Sequence, residues 1–409
     1  MTSISAVPSV DVATAVARFI GWLEGYGETS CDHQTFFATD LGRRAKALYY
    51  RRPLAGKLAV APMVFCEAFV PSARYLVRQR HRFPIADAHY AMAFATLADV
   101  FADDWYYAKA RRFLEALERS RCEGHDDHCW GYPFSWQTRT GCIEAGTPLI
   151  TTVPYVYEAF SRVYQIDKDD RWRGVMASIA RHAFSSYRDV AIGRDSASCA
   201  YTPAADDPAG VVNASAYRAF LLTQAAVDFG EPRYFETASR NLNFVLDAQA
   251  ADGSWPYAID GQRDFVDHFH TCFVLKALAK IEGLAPTARC ARAIEHGIAY
   301  YTRTLVDADG LPRPFARAPR LTVYRRELYD FAESINLAVL LAGRFPELDR
   351  MLTCVVADVL GRWQKRDGSF RSRQLLVGWD DVPMHRWAQS QVFRSLCVLL
   401  ASSADRVTG

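Results

Sequence analysis

Gln249–Ala258 reads QAADGSWPYA, Leu305–Phe315 reads LVDADGLPRPF, and Trp363–Arg373 reads WQKRDGSFRSR. The glycines of their Asp-Gly pairs, at 253, 310 and 368, lie 57 and 58 residues apart. A fixed period of this size marks an internal structural repeat. About 57 residues accommodates two helices and their connections. Two weaker copies come earlier, HCWGYPFSW from His128 and SCAYTPA from Ser198. Behind every copy follows a segment apolar on most positions: TTVPYVYEAFSRVY from Thr151, VVNASAYRAFLLTQAA from Val211, DFVDHFHTCFVLKALAKI from Asp264, RELYDFAESINLAVLLAGRF from Arg326 and MHRWAQSQVFRSLCVLLAS from Met384. A helix apolar nearly all round is covered on every side. A more amphipathic helix, such as RYFETASRNLNFVLDAQ from Arg233, completes the unit.

The same reading extends to the N-terminal third, where VATAVARFIGWLEGY and FPIADAHYAMAFATLADVF are helical in pattern. No period-two alternation is long enough for a sheet. Helix pairs repeated in this way stack as an open solenoid or close into a ring, and the fully apolar inner segments favour closure. The expected fold is all-α, an α/α toroid of about six helical hairpins, with residues 1–409 forming one domain and the repeat most visible over about 128–400.

Composition narrows the function. Half of the 409 residues are hydrophobic and 13% aromatic, which excludes a disordered chain. The 48 Lys and Arg balance the 46 Asp and Glu, so no nucleic-acid partner is expected. The longest apolar stretch, Leu58–Val70, contains Pro62 and Glu67 and is too short to span a bilayer. No secretory leader is read at the N-terminus, and ten cysteines without a regular frame read as thiols in a reducing cytoplasm.

The pattern Gln-x-x-x-Gly-x-Trp at Gln249, Gly253 and Trp255, repeated as Gln364, Gly368 and Phe370, resembles the repeat of α/α-toroid enzymes. These include terpene cyclases, protein prenyltransferase β subunits and barrels acting on polysaccharides. CWGYPFSWQTR and TPLITTVPYVYEAF are also similar to segments of helical-barrel proteins of bacterial polysaccharide biosynthesis. The resemblance implies a cavity at one mouth of the ring, lined by the starts of the inner helices. The inner-helix dipoles point their positive ends at that mouth.

Several groups at those starts carry chemistry. Aligning VYEAF, AYRAF and FHTCF places Tyr157, Tyr217 and His270 at equivalent positions. A Tyr/His pair moves protons at a sugar carbon, as epimerases and lyases require, with Asn213 and Arg218 at hand to neutralise a substrate carboxylate. His268, Glu333 and Asp264 are further acid–base candidates, since paired carboxylates serve glycoside cleavage. Tyr132, Trp136, Tyr257, Trp379 and Trp387 offer faces for a sugar ring or a carbocation, and Arg139 and His385 offer polar contacts. The packing alternatives are a turn-locking role for Trp255 and N-caps for Asp380 and Asp381.

Asp167-Lys168-Asp169-Asp170 resembles the Asp-x-Asp-Asp acid motif of class II terpene cyclases, but falls in a turn after a buried helix, where caps are expected. Cys122, His125, His128 and Cys129 are zinc-ligand types at a spacing that matches no standard finger, so no metal and no cofactor are expected. The leading function is a cytoplasmic enzyme acting on a carbohydrate, an acidic polysaccharide or its precursor, by lyase, epimerase or hydrolase chemistry. A terpene cyclase or prenyltransferase-like enzyme is the alternative, and a non-catalytic glycan-binding scaffold the third.

Overall fold

The computed structural model describes residues 9–319 and 322–408. Its helices in chain order are α1 (Ser9–Tyr26), α2 (Thr35–Ala38), α3 (Asp40–Arg51), α4 (Pro53–Phe69), α5 (Pro84–Phe101), α6 (Asp104–Arg119), α7 (Val153–Asp167) and α8 (Asp170–Ser185). There follow α9 (Val212–Phe229), α10 (Pro232–Asp247), α11 (His268–Leu284), α12 (Ala288–Thr304), α13 (Leu328–Leu340), α14 (Pro346–Asp358) and α15 (Ser390–Thr408). The predicted toroid is present. Helices α5, α7, α9, α11, α13 and α15 form an inner ring in which each packs on the next and α15 returns to α5. Helices α6, α8, α10, α12 and α14 pack outside their predecessors, and α1 takes the sixth outer seat, against α15. Inner helices are buried all round, as the continuous run Ala86–Ala98 of α5 shows. Outer helices bury one stripe, as in α10 with Tyr234, Ala238, Asn241, Phe244, Val245 and Leu246.

The repeated turn holds the hairpins together in one geometry. Gln249 donates from Nε2 to the carbonyls of Gly253 (3.1 Å) and Ala293 (3.0 Å), the latter on the next outer helix, α12. Gln364 does the same to Gly368 (3.1 Å) and to Ala15 (2.9 Å) on α1. Asp252 and Asp367 each accept from the serine two residues on, through both its N–H and its hydroxyl. The glycines are required. Gly253 and Gly368 have φ of +95° and +96°, and a Cβ would lie 2.4 Å from the His296 carbonyl and 2.2 Å from that of Arg18. Trp255 and Trp130 are packing residues, buried and donating to the carbonyls of Val245 and Leu117.

Short strands, absent from the sequence reading, occupy the connections that lead into inner helices. Val266–Asp267 pairs with Phe315–Arg317, and Tyr324–Glu327 with Arg373–Leu375, which pairs in turn with Trp379–Asp380. Two to five residues per strand are too few for alternation to show. The segment α2 to α4 and the 3₁₀ turn Pro71–Val77 come before α5 and pack by α2 and α3 against the Trp136–Gln137 strand, at the same end of the ring. Among the described residues no single helix is long and apolar enough to cross a membrane; α4 and the 3₁₀ turn pass that test only as a pair, bent by 118°.

Gly368→Ala tests the closure. Gly230 has φ of +66° and nothing within 4 Å of the point where a Cβ would stand, so Gly230→Ala should cost about 1 kcal/mol from backbone conformation alone. Gly368→Ala should cost about 3 kcal/mol, because the methyl also pushes α1 away. Urea unfolding of the two variants measures the difference.

Candidate active site

The inner helices begin at one end of the ring, and the connections before them form its mouth. Asp267 is the N-cap of α11. Its Oδ1 accepts from the His270 backbone N–H (2.9 Å) and its Oδ2 lies 2.7 Å from His270 Nδ1. One carboxylate therefore starts the helix and orients the imidazole. With the proton on Nδ1, Nε2 presents a lone pair. Among the described residues Nε2 has no protein partner, and the side chain is 21% exposed. Aromatic rings surround it: Phe269 at 4.4 Å, Tyr257 at 4.7 Å and Phe273 at 5.5 Å between centroids. Burial raises the Tyr257 phenol to about 12, so it keeps its proton and can donate it in a hydrogen bond.

The aromatic lining continues across the mouth. Trp387 meets Phe269 at 5.9 Å and Tyr329 at 5.2 Å. The Arg386 guanidinium lies over Trp387 (4.5 Å) and Tyr132 (4.3 Å), and Tyr132 contacts Trp136 at 5.1 Å. Arg386 is committed to Asp32 by a two-pronged bond of 2.8 and 2.6 Å. Burial opposes ionisation of Asp32, but this guanidinium outweighs it and holds the carboxyl below its ordinary range.

A buried charge network that no sequence motif signalled adjoins this lining. His33 Nε2 lies 2.9 Å from Glu327, and Arg373 reaches the same carboxylate at 2.8 Å. Arg74 binds Glu67 through a fork and Asp380 at 2.7 Å. Burial, with Arg373 nearby, pushes His33 well below its usual pKa, so it is neutral. The participants come from residues 33–74 and 327–380, so only the folded chain brings them together.

The other sequence candidates divide into two sets. Tyr132, Trp136, Tyr257 and Trp387 are half-buried in the mouth lining, and Arg139 is exposed beyond it, between the strands Trp136–Gln137 and Cys142–Ile143. The rest do not join that lining. Tyr217 is buried one aromatic layer below His270, behind Phe273, and its hydroxyl bonds Tyr155 at 2.6 Å. Burial and the adjacent Tyr155 raise its pKa well above normal, the opposite of the lowered value a Tyr base needs. Arg218, the cation expected beside it, faces the outer layer, where it donates to the carbonyls of Ala183 (2.7 Å) and Phe184 (2.8 Å) and pairs with Asp189. Tyr157 bonds Asp228 at the end of α9. Asn213 is buried with its Oδ1 unpaired.

Glu333 is buried against Lys276 at 2.5 Å, and Asp264 is exposed in a pair with Arg317. Trp379 stands edge-on to Trp363, beneath Arg371. His385 turns toward α1, between Trp22 and Tyr26, with Nδ1 2.6 Å from the Tyr90 hydroxyl. Asp380 joins Arg74 rather than capping a helix. Asp167 accepts from Tyr107 and Trp172, and Asp169 caps α8, both at the end of the ring opposite the mouth.

No family model matches the sequence, and no curated protein is significantly similar to it. The fold itself, an α/α toroid, is shared with solved structures. Among solved structures, the chain is similar to cellobiose 2-epimerase from Bacillus thermoamylovorans (TM-score 0.61, 8% identity, covering 80% of this chain and 88% of that one). It is also similar to an alpha-mannanase from Bacteroides thetaiotaomicron (TM-score 0.58, 8% identity, 80% and 88%). A polysaccharide lyase aligns with TM-score 0.54 and 9% identity over 79% of this chain and 90% of its own.

His268 is buried, held between Tyr301 (2.9 Å) and Ser334 (3.1 Å), with burial pulling its pKa to about 3. Its unfolded value is near 6.5. Between these values the unfolded chain holds one more proton here, so acidification removes stability. Relative to wild type, His268→Gln should lose stability less steeply as pH falls from 6.5 to 4, by about 1.4 kcal/mol per pH unit. Urea titrations across that range measure the slope.

Proposed function

We propose that this chain is a carbohydrate-active enzyme in which His270 moves the proton. The observation that carries the reading is the Asp267–His270 pair, a part-exposed imidazole fixed in one tautomer inside an aromatic mouth. Sugar rings stack their C–H faces on such rings, and Trp387, Trp136 and Tyr257 supply them. With the sugar so placed, Nε2 accepts a proton from a substrate carbon or hydroxyl, or from an attacking water. Asp267 stabilises the imidazolium that forms. The Tyr257 hydroxyl, retaining its proton, donates a hydrogen bond to the oxygen where negative charge develops. The three solved structures described above are titled as an epimerase, a mannanase and a lyase, which supports a sugar substrate.

Of the two groups expected to neutralise a substrate carboxylate, Arg218 faces the outer layer and Asn213 is buried. Arg74, Arg373 and Arg386 are each bound to carboxylates. A neutral saccharide therefore suits this mouth better than a uronate. The cyclase reading loses its acid, because the Asp167–Asp170 tetrad lies at the opposite end of the ring. We place the enzyme in the cytoplasm on the support of ten free cysteines.

A thermal-shift screen of neutral oligosaccharides, uronate oligosaccharides and prenyl diphosphates selects the substrate class, since a ligand of the native state raises Tm. Neutral oligosaccharides should give the largest rise. On the substrate so found, His270→Ala should lower kcat about 100-fold or more. Asp267→Asn, which still caps α11, should lower it about 10-fold or more, and Tyr217→Phe should leave it nearly unchanged. Full activity in His270→Ala, or a response to prenyl diphosphates alone, overturns the proposal.

A further inference from the structure

On the outer side of the mouth, the loop after α6 folds back on the outer helix α8. The Cys122 backbone N–H donates to the Cys129 carbonyl at 2.9 Å, which holds the two cysteines side by side. From α8, His182 meets His125 of the loop edge-to-face, with ring centroids 5.8 Å apart. Ligand atoms of His125, Cys129 and His182 all lie within 4.8 Å of one another. In a tetrahedral zinc site, bonds of about 2.1 Å to nitrogen and 2.3 Å to sulfur put ligand atoms about 3.5 Å apart. A small contraction converts one arrangement into the other.

The polar accounting of His182 points independently to a ligand. Its Nδ1 is bonded to Ser186 Oγ at 3.0 Å, which leaves Nε2 as the ring's free ligand atom. That Nε2 is buried and has no hydrogen-bond partner, although the residue is 1% exposed. A buried, unsatisfied imidazole nitrogen is costly unless something binds it. The bond from Nδ1 to Ser186 is the outer contact that zinc-ligating histidines make.

We propose that Cys122, Cys129, His125 and His182 bind one structural zinc ion. Cys122, held beside Cys129 by that backbone bond, is the fourth ligand, its thiol moving into the group that His125, Cys129 and His182 already form. Binding displaces both thiol protons to solvent, so two thiolates and two neutral imidazoles balance the charge of Zn²⁺. His128, grouped with these residues by sequence alone, is not a ligand, because its ring bonds Ser178 at 3.0 Å. The spacing fits no finger because the last ligand comes from a helix 53 residues beyond Cys129. With four protein ligands the site is closed, so its role is to fix the loop. That loop runs directly into Trp130, Tyr132 and Trp136.

The test is metal analysis of the full-length protein, expressed with added zinc, lysed under reducing conditions and dialysed against metal-free buffer. The expected content is about one zinc per chain, absent from both Cys129→Ser and His182→Gln and retained in His128→Gln. Replacement by Co²⁺ should give the d–d bands of tetrahedral cobalt and a thiolate-to-cobalt charge-transfer band, the latter weakened in Cys122→Ser. A chelator should lower Tm in the wild type and leave that of His182→Gln unchanged. If Cys129→Ser fails to fold, the cobalt spectrum of the wild type and the metal content of His182→Gln still decide. Negligible zinc with no tetrahedral cobalt spectrum, a Cys122–Cys129 disulfide in the isolated protein, or undiminished metal in His182→Gln overturns the proposal. None of these readouts depends on enzymatic activity.

Discussion

The mouth exists only because the ring closes, and closure rests on α1 seated against α15 under the last Asp-Gly turn. Five outer helices follow their inner partners in the chain, whereas the sixth seat is filled from the other end of the sequence. The Gln364 amide treats Ala15 as the Gln249 amide treats Ala293, at 2.9 and 3.0 Å. Arg18 adds a bond of 2.7 Å to the Lys365 carbonyl. Without that helix the apolar outer face of α15 is open, and His385 loses the Trp22 and Tyr26 rings beside it.

On this frame the polar groups separate by depth. Ion pairs inside the ring, Lys276–Glu333 and Lys280–Glu158, satisfy charges that burial would otherwise suppress. At the mouth, Asp32–Arg386 and the Glu67–Arg74–Asp380 set fix the connections against one another. The Asp267–His270 pair differs in leaving one nitrogen uncommitted on a ring that is 21% exposed.

The repeat period made the toroid legible, because a glycine that must carry φ near +95° against a neighbouring carbonyl cannot be replaced silently. The mouth was legible as a location, since buried helices announce their polar starts. The facing of side chains was not. Tyr217 and His270 look equivalent by motif, but Tyr217 is five residues past the first residue of α9 and His270 two past that of α11. Three extra residues put Tyr217 about 4.5 Å deeper along its helix axis. His33 and Arg74 carried no signal, because Glu327 and Asp380 are about three hundred residues away and no local pattern reports such pairing. His182 escaped for the same reason, on an amphipathic helix where a histidine reads as ordinary.

The seating of α1 also sets an order of events during synthesis. The hydrogen bonds that lock it span 347 to 349 residues. Bringing such distant segments together costs about 5 kcal/mol in chain entropy before any contact compensates it. At about 5 to 20 residues per second on the ribosome, α1 waits roughly 20 to 70 seconds for its partner to emerge. During that interval Val12, Val16, Phe19 and Leu23, all buried in the finished ring, have no native cover from α15. A growing arc of hairpins with an unpartnered leading helix is a natural client for chaperones that shield apolar helices until the circle can be joined.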